Sequence, residues 1–243
     1  SRQAAAKRTL TTLRTLWNLP QGPDATGVAG HKGFFYHFLH MDSGLRYDRC
    51  ELSTVDSTLL FLGALTSAAF FDGSSADEAE IRKLGIGLYE RADWTFFAHD
   101  NGLISMGWHP EPGLPDHDAR GLIERNWDRY NEGMMVNLLA LGSPTHPAGD
   151  WNAWMETIGG AWGTNFGETY LGFSPMFGHQ YSHVWFDFRD IADAFMREKG
   201  IDYFINSQRA TAAQRNYAIK NPDGFKDYGA DIWGLTACRG PGY

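Results

Sequence analysis

"STVDSTLLFLGALTSAAFF" runs from Ser53 to Phe71 and sets the fold class. Ser53, with Asp56 three residues on, resembles a capping box, the entry signal of a helix. The apolar stretch behind it then reads as that helix. Working outward, Ile81, Leu84, Leu88 and Trp94 fall near one face of a second helix, expected over Ser75 to Phe97. Upstream, an N-terminal helix is expected from Ala4 to Leu19, stopping before Pro20, with a Gly-rich loop after it. "FFYHFLHMDSGLRYDRC" follows as two short strands joined by a turn at Asp42-Ser43-Gly44.

Downstream, "HDNGLISMGWHPEPGLPDHD" is rich in Gly and Pro and reads as loop and turn. Helices are expected again near Arg120 to Arg125, Asn131 to Leu141 and Asp150 to Ile158. An irregular aromatic loop precedes two more, Tyr181 to Glu198 and Ile201 to Lys220. There are no alternating strand–helix units, no repeat of fixed period and no evident linker. The expectation is an all-α, layered or toroidal domain spanning residues 1–243, with a small β-hairpin near its start.

Composition narrows the function. A chain of 243 residues with 43% hydrophobic content can bury a full core. Its net charge of −8, without a basic run, argues against a nucleic-acid partner. No apolar stretch is long enough to span a bilayer, and "SRQAAAKRTL" lacks the pattern of a signal peptide. Cys50 and Cys238 suit neither a zinc finger nor a disulfide framework, and two unpaired thiols are favoured over one bridge. His179 and His183 stand four apart, but without a Glu or Cys partner of familiar spacing they read as polar pocket lining rather than metal ligands. "GIGLYE" at Gly85 is half a dinucleotide fingerprint in mid-helix and is discounted, so no cofactor and no metal are expected.

What remains is a set of carboxylates at element starts, among them Glu51, Asp56, Glu111, Asp128, Glu132, Glu168 and Asp187, in a chain that is 14% aromatic. Paired carboxylates beside aromatic rings are the equipment of glycoside hydrolysis. Acidic residues also favour helix N-termini. For Glu132 in "RYNEGMMVNLLALGSPTHP" the residues alone leave both roles open.

"YHFLHMDSGLR", "CELSTVDSTLLFLGALTSAAFF", "ISMGWHPE", "RYNEGMMVNLLALGSPTHP", "MFGHQYSHVWFDFRDIADAFMREKGIDYFINSQRATAAQRNYAI" and "DYGADIWGLTA" together resemble the bacterial glucoamylase-like domain, a group that includes the endo-β-1,2-glucanases of glycoside hydrolase family 144. The resemblance covers nearly the whole chain from Gly33 onward. It implies an (α/α)6 toroid with a sugar-binding cleft and a metal-independent hydrolase of β-1,2-linked glucans or related oligosaccharides, exported to the periplasm or secreted. Domains of this kind continue past "WGLTA", so an incomplete toroid is expected here, and a general base beyond Tyr243 stays open.

Carried over position by position, the resemblance places the catalytic carboxylates at Asp56 and Glu132. Glu51 is expected to line the same cleft. Trp108, Trp127 and Tyr181 are candidate sugar platforms, and Asp128, His179, Gln180 and Arg209 candidate hydrogen-bonding partners for sugar hydroxyls. Asn206 is open between binding and structural roles, and Asp187 with Arg189 reads as a structural ion pair. Two alternatives to hydrolysis are carried: a glycan-binding domain without turnover, and a transglycosylase of the same fold. The oligomeric state is left open.

Overall fold

A computed structural model describes residues 1–147 and 150–237. Cys238 lies outside the described residues. The chain divides into two compact units, Ser1–Trp127 with Met135–Trp151, and Asp128–Met134 with Asn152–Tyr243.

The first unit opens with α1 (Arg2–Asn18). Strands β1 (Gly30–His31) and β2 (Phe34–Phe35) pair antiparallel, and β3 (Leu52–Ser53) leads into α2 (Thr54–Phe70). The expected hairpin turn is present, with Leu39 bridging Arg46 and Gly44 at φ +70°. The Ser53 half of the expected capping box is present, while the Asp56 carboxylate meets the Ser53 hydroxyl rather than its amide. Ser53, extended at φ −93°, accepts a hydrogen bond from the Asp56 amide and so satisfies one orphan donor of the first turn. Helix α3 (Ala76–Glu90) packs on both α1 and α2. Gly85 explains itself here. A Cβ at this position would lie 2.6 Å from the Ala64 carbonyl oxygen, so glycine allows α3 to approach the α2 backbone closely. Phe34, Phe61, Trp94 and Phe97 form the aromatic core beneath, with the Phe34 and Phe97 ring centroids 4.6 Å apart.

Two helical expectations in this unit are corrected. Helix α3 ends at Glu90 rather than Phe97, because the Asp93 amide donates to the Lys32 carbonyl; Trp94–Phe97 is a separate 3₁₀ turn. Residues Arg120 to Arg125 are not helical. Leu122 bridges Trp108 and Ile123 bridges His117, extending the pair formed by β3 and β4 (Gly107–Trp108). Helix α4 (Gly133–Gly142) starts two residues later than expected.

In the second unit, α5 (Asp150–Ile158) matches the expected span. The following "irregular loop" is a hairpin of β5 (Trp162–Asn165) and β6 (Glu168–Leu171). Phe166 and Gly167 turn it with φ of 47° and 89°, the two positive values of a type I′ turn. The helix expected over Tyr181 to Glu198 is instead α6 (Phe177–Gln180), a 3₁₀ turn over Ser182–Val184, and α7 (Ala194–Lys199). Asp190 at φ +63° breaks the helical path between them. Helix α8 (Tyr203–Lys220) packs on β6. Fully buried Asn206 clamps the strand, accepting from the Leu171 amide at 2.7 Å and donating to its carbonyl at 3.3 Å. The all-α class is borne out, with three short antiparallel strand pairs among the described residues. No described helix is long and apolar enough to cross a membrane.

Candidate active site

In the first unit, Asp56 sits on the first turn of α2 and Glu51 just before β3. One residue that the sequence did not single out connects them. His37 Nδ1 lies 2.7 Å from Glu51 Oε1, and its Nε2 lies 3.5 Å from Asp56 Oδ2. The main chain ties His37 and Glu51 together again, since the His37 amide donates to the Glu51 carbonyl at 2.9 Å. The imidazole stacks on Phe38, with 4.1 Å between ring centroids. Ser53 Oγ donates to Asp56 Oδ2, so the capping hydroxyl also orients the carboxylate. All three titratable side chains are roughly one-third exposed, which leaves them open to a ligand. The only sequence cue to His37 was the odd polar residue within "FFYHFLH".

Behind this group the Arg46 guanidinium is buried. It forms a fork with Glu111, at 2.8 Å and 3.2 Å, and also donates to the Cys50 and Ala25 carbonyls. Burial pushes the Glu111 carboxyl up, but the Arg46 fork outweighs it and holds the group below the usual range. Arg46 also lies over the Tyr36 ring, whose hydroxyl burial pushes up to about 12.

Trp108 and Trp127 were expected as sugar platforms. They are only 6% and 5% exposed, and their indole N–H groups donate to the Arg120 carbonyl and the Thr54 hydroxyl. Both pack the core of this unit rather than offer a ring face.

In the second unit, Glu132 stands immediately before α4. Helix entry is capped by Asn131 instead, whose Oδ1 accepts from the Gly133 amide at 2.8 Å and whose Nδ2 donates to the Asp128 carbonyl at 2.9 Å. The bend before it is held from both sides. Arg129, in the left-handed region at φ +58°, donates its amide to Thr157 Oγ1, and its carbonyl accepts from Trp154 Nε1. Tyr130 anchors the segment among Trp154, His179 and Tyr203. Glu132 thus follows a turn held by Asn131 and Arg129. Its Oε2 is buried and accepts no hydrogen bond among the described residues. Burial raises its carboxyl above the usual range, and its own backbone amide only partly offsets this.

The other expected residues separate. His179 is 1% exposed, with Nε2 against the Phe173 backbone; burial lowers its imidazole to about 4. His183 Nε2 pairs with Ser207 Oγ at 2.8 Å. Both rings border a cavity of about 440 Å³ with Gln180, Gln208 and Trp233, which matches the pocket-lining expectation. Gln180 and Tyr181 are exposed. Arg209 donates to the Thr169 carbonyl at 2.9 Å, on β6. Asp128 is half-buried. Asp187 and Arg189 form an exposed two-pronged ion pair, as expected.

Residues 124–243 match a family model described as "Putative glucoamylase". The chain is 27% identical over 209 residues to an exo β-1,2-glucooligosaccharide sophorohydrolase acting at the non-reducing end, from Parabacteroides distasonis, covering 75% of this chain and 28% of that protein. A crystal structure of a putative glucoamylase from Bacteroides uniformis aligns with a TM-score of 0.82 and 25% identity, over 99% of this chain and 57% of the other. A β-1,2-glucanase from P. distasonis aligns with a TM-score of 0.78 and 21% identity, over 98% and 36% respectively. The endo-β-1,2-glucanase of Chitinophaga pinensis, in complex with sophorotriose and glucose, aligns at 0.77 and 20%, over 97% and 55%. The glucoamylase-like resemblance is therefore borne out, and the fold is that of these glucoamylase-like (α/α)6 proteins. The chain spans little more than half the length of these solved relatives, or less.

Proposed function

We propose that the protein is a glycoside hydrolase of β-1,2-linked glucan or related gluco-oligosaccharides, working by carboxylate general acid/base catalysis. Glu132 donates the proton to the leaving oxygen, and Asp56 is the second carboxylate. One observation carries the assignment: a Glu132 carboxyl raised by burial, with Oε2 accepting no hydrogen bond among the described residues, is suited to holding a proton that it can deliver. Glu51, Gln180 and Tyr181 are exposed enough to meet sugar hydroxyls, and half-buried Asp128 stays a further candidate. Residues 1–243 are assigned as one catalytic domain, working in the periplasm or outside the cell.

The test is incubation of the protein with purified β-1,2-glucan and mass analysis of the products. Shorter oligosaccharides support hydrolysis. Larger or cyclic products would instead assign transglycosylation, and saturable binding without any product would assign a binding domain.

A further inference from the structure

We propose that Glu51, His37 and Asp56 form a proton relay, in which His37 discharges Asp56 after each turnover; this rests on the hydrolase assignment above. The geometry fixes the direction of transfer. Glu51 accepts at His37 Nδ1 over 2.7 Å, so the neutral ring carries its proton there and leaves Nε2 as a base. That base faces Asp56 Oδ2 at 3.5 Å. A proton taken up at Nε2 leaves the ring with a carboxylate oxygen facing each nitrogen, at 2.7 Å and 3.5 Å. The second link, from the His37 amide to the Glu51 carbonyl, and the stack on Phe38 keep the ring in this orientation. A side chain that served only packing would need neither carboxylate.

In the proposed step, a water oxygen bonds to the anomeric carbon and gives its proton to Asp56. The electron pair of the broken glycosidic C–O bond leaves with the departing oxygen, which takes the proton of Glu132. Asp56 then passes its proton to His37 Nε2. The partly exposed ring releases it to solvent, and solvent returns one to Glu132. His37 touches no reacting atom in this scheme and is a positioning and relay residue.

Three variants and one spectrum test it. His37→Gln can still hydrogen-bond Glu51 but cannot carry the proton, so kcat on β-1,2-glucan should fall on the order of 10²-fold with KM little changed. His37→Ala should lose as much and regain activity saturably with added imidazole, since the stacking site on Phe38 is open to solvent. In ¹⁵N spectra the neutral His37 ring should be the Nδ1–H tautomer, and Glu51→Ala should shift it toward the Nε2–H form that a solvated histidine side chain prefers. The relay is overturned if folded, glucan-binding His37→Gln keeps wild-type kcat, if imidazole restores nothing, or if the wild-type ring is Nε2–H. If the wild-type protein releases no product from glucan, the hydrolase assignment itself falls and takes the relay with it. Cleavage with an indifferent His37 would sink the relay alone.

Discussion

His37 and Glu51 are joined twice, ring nitrogen to carboxylate at 2.7 Å and amide to carbonyl at 2.9 Å. The two contacts constrain different atoms of the same pair. Backbone pairing sets where the imidazole starts, and the side-chain bond sets its rotation. Asp56 is oriented independently, by Ser53.

That independence makes Ser53 a test of stability apart from the His37–Glu51 pair. Ser53→Ala removes the cap of α2 and should cost about 1 kcal/mol, while Ser53→Thr should retain most of it. Denaturant melts of the two variants check this. Equal loss in both would mean that the hydroxyl is not the working part of the cap.

Glu132→Gln keeps size and hydrogen bonding but cannot protonate a leaving oxygen. Turnover on β-1,2-glucan should fall by roughly 10² to 10⁴, with glucan binding retained. Near-normal kcat in the folded variant would remove Glu132 from the mechanism.

The same substitution carries a stability signature of defined sign. A carboxyl raised by burial favours folding while protonated, and that contribution is lost as pH rises through its folded-state value. Wild type and Glu132→Gln should therefore melt alike in acid. Toward neutral pH the variant should become the more stable of the two. Melting curves of both proteins from pH 3.5 to 7.5 decide it, and a variant less stable at pH 7 than at pH 4, relative to wild type, would contradict the buried-acid picture.

His179 has the opposite dependence. Burial depresses its imidazole to about 4, so its contribution is present above about pH 6.5 and lost as pH falls through 4. Complete protonation would remove on the order of 3 kcal/mol. The ring packs against Tyr130, 5.0 Å between centroids, so acid loss should appear in tyrosine and tryptophan near-ultraviolet dichroism. A His179→Gln variant with an unchanged acid transition would assign that transition to other groups.

Glu111→Ala should be among the costlier single changes in the first unit. It strands a guanidinium whose side chain is 1% exposed, and removing one partner of such a pair costs about 3–5 kcal/mol. Replacing both residues, as Arg46→Met with Glu111→Leu, should recover much of the loss. A double-mutant cycle by chemical denaturation gives the coupling directly.

Helix α2, with its cap and long apolar run, was legible in the sequence, and so, to within two residues, were the spans of α1, α5 and α8. The failures share a cause. Arg120 to Arg125 and Trp94 to Phe97 contain apolar residues at plausible spacing, but Ile123 donates its amide to the Gly107 carbonyl, while the amides of Asp93 and Trp94 go to the Lys32 carbonyl and the Thr145 hydroxyl. Local spacing cannot report such partners. The β5–β6 hairpin did carry a signal, Phe166-Gly167 between alternating residues, and the aromatic content hid it. At the candidate site the carboxylates stood out because charge beside apolar runs is conspicuous. His37 did not, since nothing near it in sequence shows that Glu51, fourteen residues on, returns to meet its ring.

The bend at Arg129 gives the second unit a remote adjustment point. One threonine hydroxyl and one indole N–H, both on α5, hold a left-handed residue three positions ahead of Glu132. Neither group is itself a candidate for chemistry. Exchange of Thr157 for valine, nearly the same shape, would free the Arg129 amide and let the bend relax toward an ordinary conformation, carrying the carboxyl with it. Selection acting on activity could therefore leave its mark on α5, where a search confined to acidic side chains would find nothing.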